Sequence, residues 1–281
     1  MLHGQLLAGR FRVLGRLEGR GPQGLWLAEE PATRRSVIAA EVSKSRARRL
    51  IPAAGVTHEH LAEIIEIVST EEGQGLPFSD NQPPPEALAI VERVPGRSLF
   101  RALQDGHMSM RFAVHCAANT VSAIAELHRN RAPHGAISDK SVIVETTNGR
   151  TNPVLTQLIE APRAVFASPE RLHGAGPSRF DDVWAAHALL YTVLTGHLPF
   201  QGNDAKSILL AIRDGTPAPL ESVGIEDEKL QELVDRGLRS APDERTDSIY
   251  ELEETLHDWL CVDEAFESAG IRMSRTSERC R

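Results

Sequence analysis

The chain has 281 residues, 41% of them hydrophobic and 25% charged, with a formal charge of −8 and a pI near 5.8. That composition describes a folded globule with an ordinary core and excludes disordered and fibrous classes. The acidic balance argues against nucleic acid or an anionic membrane as the dominant partner.

The start of the chain has no apolar stretch of signal-peptide length, and nowhere do about eighteen apolar residues run together, so a cytoplasmic location without membrane insertion is expected. The cysteines, Cys116, Cys261 and Cys280, lack metal-ligand spacing and are odd in number, which suggests reduced thiols. The basic run Lys44, Arg46, Arg48 and Arg49 reads as a solvated helix face.

The first hundred residues are strand-rich. Phe11 to Val13 alternates, and Leu25 to Leu27, Val37 to Val42 and Leu88 to Val91 are short apolar runs separated by turn residues. Gly73 to Pro85 is a polar, proline-bearing loop and a candidate interaction surface. From about residue 98 the period becomes helical, with Ala113, Ala117, Val121, Ile124 and His128 on one face.

Val183 to Leu194 is apolar nearly all round and predicts a buried helix ending at Gly196. Further helices are predicted at Asp204 to Arg213, Asp227 to Leu238 and Ser248 to Leu260, the last opened by Ser248 and Glu251 at capping-box spacing. Val262 to Arg281 reads as a loosely held tail whose Arg272, Arg275, Arg279 and Arg281 could form a docking segment.

Short motifs within this pattern follow a family order. "FRVLGRLEGRGPQGLWLAEEPATRRSVIAAEV", "HEHLAEIIEI" and "LAIVERVPGRSL" precede "AIAELHRNRAPHGAISDKSVIV", "FASPERL", "SRFDDVWAAHALLYTVLTGHLPF" and "LRSAPDERTDS". In that order they resemble the bacterial Ser/Thr protein kinases over residues 10 to 260. The resemblance implies an α+β, two-lobed protein-kinase-like fold: a small antiparallel β-sheet lobe over 10–94, a larger mainly helical lobe over 95–260, and a polar tail over 261–281.

Phosphoryl transfer needs a positioned base, a phosphate-binding lysine and magnesium ligands, and the resemblance places substitutions at each. An active catalytic loop reads His-Arg-Asp-Leu-Lys-Pro-x-Asn; here it is His134-Gly135-Ala136-Ile137-Ser138-Asp139-Lys140-Ser141. Ala136 stands at the base, Ser138 at the lysine and Ser141 at the asparagine. Gln157 stands at the magnesium-binding aspartate, and Glu41 falls at the lysine of Val-Ala-x-Lys. Only eight residues separate Ile159 from Ser168, so the activation loop is almost wholly missing.

The helix after Ser43 offers no glutamate to pair with a lysine, and Asp139 reads as a solvated loop residue. Gly19, Gly21 and Gly24 spell G-x-G-x-x-G, but aligning "LWLAEE" without a gap puts Glu18, Arg20 and Gln23 at the family's glycines, so a plain hairpin turn is the reading. If a nucleotide binds, those three glycines and the hinge residues Glu92 and Val94 would hold it.

The positions that maintain architecture in the family are retained. His134 and Asp182 match the loop histidine and its anchor, Glu170 and Arg245 match a buried ion pair, and Trp184 lies in the buried helix. His187 replaces a usual glycine there and needs a partner.

The expectation is a pseudokinase: an inactive kinase-like protein that binds a protein partner as a scaffold or regulatory module. It would have no cofactor, no metal, and no ATP or magnesium binding. The alternatives are a nucleotide-binding switch, or an atypical Ser/Thr kinase-like phosphotransferase drawing on Glu41, Asp139 or Glu160 for metal.

Overall fold

The computed structural model describes residues 4–17, 24–69, 86–106, 108–147, 150–156, 163–246 and 248–268. The first lobe is an antiparallel sheet of β1 (Leu6–Leu7), β2 (Phe11–Leu17), β3 (Leu25–Glu30), β4 (Arg35–Val42), β5 (Ile64–Ser69) and β6 (Ala87–Glu92). Its spatial order is β1-β2-β3-β4-β6-β5. The sheet begins at Leu6, ahead of residue 10, because Leu7 pairs with Phe11 and closes the outer apolar cluster.

Strand alternation gives this sheet two distinct faces. Val37 and Ala39 of β4 join Leu7, Phe11, Val13, Ala28, Leu88 and Ile90 in that outer cluster. Ala40 and Val42 point the other way, into the main core, together with Ala47 and Leu50 of α1 (Lys44–Leu50) and Ala89 and Val91 of β6. Arg48 and Arg49 on α1 are exposed, while Lys44 and Arg46 are half-buried.

After a short turn, β7 (Arg97–Ser98) pairs with β8 (Val142–Thr147), which pairs in turn with β9 (Arg150–Leu155). The second lobe is otherwise helical: α2 (Leu99–Gln104), α3 (Met110–Arg129), α4 (Pro169–Leu172), α5 (Arg179–Thr195), α6 (Ala205–Asp214), α7 (Glu228–Gly237) and α8 (Ile249–Ser268). Backbone hydrogen bonds stitch the lobes together behind the cleft. Ala62 N donates to Leu155 O at 2.8 Å, and Leu155 N donates to His60 O at 2.8 Å.

Helix α5 is the axis of the second lobe, with α3 packed between it and α8. Ser178 caps its first turn by accepting from Asp181 N, and Gly196 ends it at φ +74°. The helix is buried on every side, so its hydroxyls must find partners inside it. Thr192 and Thr195 donate to the carbonyls of Ala188 and Tyr191, at 2.7 and 2.8 Å.

His187 meets half of that demand by bonding through Nδ1 to Val183 O at 2.8 Å, its buried Nε2 having no partner among the described residues. The room for its ring comes from Gly237 on α7, where an added Cβ would lie 2.0 Å from His187 Cγ. The glycine missing from position 187 is thus matched by a glycine on the facing helix. Desolvation pushes the His187 imidazole down to about 4.

The last helix departs from the sequence reading at its end. α8 continues past Leu260 to Ser268, so the helix takes in part of the stretch read as tail; residues 269–281, with the four arginines and Cys280, lie outside the described residues. On α6, Asp204 and Ser207 form a capping box. Cys116 is buried in α3, and burial pushes its thiol up to about 12, whereas Cys261 is exposed.

Candidate functional site: the cleft between the lobes

The loop from His134 to Ser141 follows α3 and hangs from Asp182, which is 1% exposed in the first turn of α5. Asp182 Oδ1 accepts from Gly135 N at 2.7 Å, and Oδ2 accepts from His134 N at 2.8 Å and from His128 Nε2 at 2.9 Å. His134 donates through Nε2 to Thr156 O at 3.0 Å and accepts at Nδ1 from Ala136 N at 3.3 Å. Both ring nitrogens are therefore spent on backbone, and burial holds the imidazole below its ordinary pKa despite nearby Asp182.

Gly135 has φ +69°, and a Cβ there would lie 2.4 Å from Pro177 Cβ. A side chain, the family's arginine included, is excluded by backbone conformation and by contact together. Next to it Ala136 offers only a methyl group, and the cavity at this point measures about 10 Å³. That is about the volume of one water.

Of the remaining polar groups of the loop, the exposed Lys140 places its ammonium over the Phe100 ring, 5.3 Å from its centre, while Ser138 and Ser141 bond within the loop. Ser141 Oγ donates to Ser138 O at 2.7 Å and accepts from Ser138 N at 2.8 Å. Ser138 and Ser141 are 1% and 0% exposed. Asp139 is not solvated as its loop position suggested; it is 3% exposed and its carboxylate is ion-paired with Arg163 Nη1. Arg163 also lies over the rings of Phe100 and Phe166, at 5.3 and 5.4 Å. The remnant of the activation segment is thereby folded onto the catalytic loop.

On β4 the structure corrects the sequence reading. Glu41 does not face the cleft: its carboxylate accepts from Gly24 N at 3.0 Å and from Trp26 Nε1 at 3.3 Å, and Trp26 packs on the outer cluster. Leu25 pairs with Ala40, which fixes the alternation so that Val42, 4% exposed, is the neighbouring side chain on the inner face. The cleft face of this strand is apolar rather than reversed in charge.

Glu92 at the hinge is held by Arg35, 3.3 Å away, and accepts from Glu63 N at 3.3 Å. Val94 is partly buried against the main core. Residues 18–23, which include Gly19 and Gly21, and residues 157–162, which include Gln157 and Glu160, lie outside the described residues. Among the described residues no group of three His, Cys, Asp or Glu side chains could hold a metal ion, and no helix is long and apolar enough to cross a membrane.

Away from the cleft, Arg245 forms a two-pronged pair with Glu170, Nη2 to Oε1 at 2.6 Å and Nη1 to Oε2 at 3.1 Å. It is buried on one side only, since the side chains of Arg245 and Glu170 are 7% and 41% exposed. Partial burial raises the Glu170 carboxyl, but the Arg245 hydrogen bonds outweigh it and the net shift is downward. The guanidinium lies 4.9 Å from the ring of Trp184, which stacks on Phe200.

Sequence reasoning missed Arg163, Pro177 and Val42. Only the last had a readable signal: β3 and β4 alternate, and matching Leu25 to Ala40 puts Val42 inside.

No protein-family model matches the chain. Curated relatives are serine/threonine-protein kinases. PrkC of Bacillus subtilis is 23% identical over 75% of this chain and 34% of its own length, and pkn2 of Myxococcus xanthus is 25% identical over 89% and 32%. PkaA of Streptomyces coelicolor is 27% identical over 57% and 32%. The chain thus spans about a third of the length of these relatives.

Among solved structures, the PknI kinase domain of Mycobacterium tuberculosis superposes with a TM-score of 0.69 at 17% identity, covering 92% of this chain and 99% of that one. Rad53 in complex with AMP-PNP superposes with a TM-score of 0.69 at 19% identity, over 89% and 65%. The fold is that of a protein kinase domain, and its relatives place the chain near the kinase-like superfamily.

Proposed function

We propose that this kinase-like chain is a pseudokinase that works as a protein-binding scaffold or regulatory module. The observation that carries the reading is the self-contained wiring of the catalytic loop. Ala136 has no proton acceptor, the Ser138 and Ser141 groups bond each other, and the Asp139 carboxylate is taken by Arg163. Proton abstraction and phosphate neutralisation both require groups that are free to meet substrate. Val42 at the inner face supplies no charge for phosphates, and Ser141, already doubly bonded, is a poor match for a magnesium ligand.

A thermal-shift titration with ATP, with and without magnesium or manganese, tests this reading. A ligand that binds only the native state raises Tm, by about 2.7 kcal/mol of added stability at a hundred times Kd. No metal-dependent rise is expected, and no transfer of label from γ-labelled ATP above a heat-denatured control; either signal would sink the reading.

The second reading is a nucleotide-sensing switch without turnover. It is favoured by the likeness to Rad53 in complex with AMP-PNP, and it is recognised by a nucleotide-dependent Tm rise with no label transfer.

A further inference from the structure

A cavity lies away from the cleft, between α4, the start of α5 and residues 242–246. Its volume is about 400 Å³, within the range of natural ligand pockets. One wall is Arg245, whose side chain is 7% exposed and whose Nε–H has no acceptor among the described residues.

The charges that line the cavity are unequal in what they have left to give. Both guanidiniums are engaged: Arg245 by Glu170 and by Ser240 O, and Arg171 by Ala175 O at 2.8 Å with Asp181 at 3.7 Å. Of the carboxylates, Asp243 is exposed and in no described ion pair, and the Glu170 side chain remains 41% exposed. Asp181 is 7% exposed, and burial pushes its carboxyl up to about 6, opposed by the N–H of Ser168 and reinforced by Asp182. On the lip, Phe180 is 49% exposed with the Arg179 guanidinium over one face of its ring at 4.9 Å, and Pro242 is exposed too.

We infer that this cavity is a docking site for an extended segment of a partner protein that carries an arginine or lysine beside an apolar residue. The cation faces Asp243 beside Asp181, and the apolar side chain lies on Phe180 and Pro242. This names the surface for the protein-binding reading and rests on it.

Three peptide amides serve as probes, acetyl-Leu-Arg-Leu, acetyl-Leu-Glu-Leu and acetyl-Leu-Norleucine-Leu, titrated against the full chain and followed by two-dimensional NMR. The arginine peptide is expected to shift resonances around Phe180 and Thr246, and the acidic peptide to leave them in place. Asp243→Asn and Phe180→Ala, both exposed and so compatible with folding, should each weaken the arginine peptide about two- to fivefold, the range of exposed contacts.

Equal binding of the acidic peptide, indifference to both substitutions, or no shift up to about 10 mM peptide, a generous limit for so small a probe, would overturn the inference. An ATP titration of the same sample separates the two claims. Nucleotide turnover with the peptide response intact removes the pseudokinase reading and leaves the docking site standing, whereas an inert cleft with no peptide response does the reverse.

Discussion

The underside of the catalytic loop and its upper side obey different rules. Below, every polar group is tied to the helical lobe: Asp182 takes three donors and His134 spends both nitrogens on backbone. Above, Ala136 carries only a methyl group, Ser141 is tied to Ser138 and Arg163 is folded onto Asp139, while the exposed Lys140 lies over the Phe100 ring. Keeping a loop's shape and keeping its chemistry are therefore separable demands, because shape depends on bonds that point into the lobe and chemistry on bonds left open.

The largest effect should come from cutting the underside. Asp182→Ala strands the donors of His134, Gly135 and His128 in a buried site and should cost about 3–5 kcal/mol, as loss of one partner from a buried charged network does. Chemical denaturation measures it. A loss below about 1 kcal/mol, the worth of a single ordinary hydrogen bond, would mean that the loop keeps its shape without this anchor.

Next comes a pair of opposed acid responses on α5. His187 titrates near 4 in the folded chain and near 6.5 unfolded, so its contribution is complete above pH 6.5 and is lost as pH falls through 4. Asp181 titrates near 6 folded and near 3.8 unfolded, so its contribution is complete below pH 3.8 and is lost as pH rises through 6. Each shift amounts to about 3 kcal/mol at 1.36 kcal/mol per unit, and over pH 4 to 6 the two largely cancel. His187→Gln should make the chain more stable in acid and Asp181→Asn less stable, as read from urea midpoints at pH 4 and 6. Parallel slopes in the two variants would refute the assignment.

A smaller effect, about 1–3 kcal/mol of overpacking, is expected for Gly237→Ala, because the new methyl would meet the His187 ring. His187→Gly in the same chain should recover most of it in a double-mutant cycle. Additive losses would show that the two helices do not trade volume at this point.

The smallest expected effect is none. Ala136→Asp with Ser141→Asn restores two family residues, yet phosphoryl transfer should stay at background because Val42, Gly135 and Arg163 are unchanged. Measurable transfer from that double variant would collapse the contrast between the two sides of the loop.

Much of the fold was legible because it rests on periodicity: the all-round apolar α5, the helical period of α3 and the apolar run of β4. What escaped reading was contact between segments remote in sequence. Asp139 looks like a solvated loop residue until Arg163, 24 positions later, is seen to cover it. Position 187 looks too crowded for a ring until Gly237 supplies the space. Glu41 was misplaced by one step of alternation, since letters aligned without strand pairing carry no information about which face a side chain takes.

The contact between Gly135 and Pro177 constrains the order of substitutions as well as geometry. A side chain cannot enter position 135 while Pro177 stands 2.4 Å from where its Cβ would be. Changing Pro177 alone gains nothing, because glycine already fits. A side chain at 135 therefore takes two coordinated changes, so a library of single substitutions passes over every loop sequence that carries one.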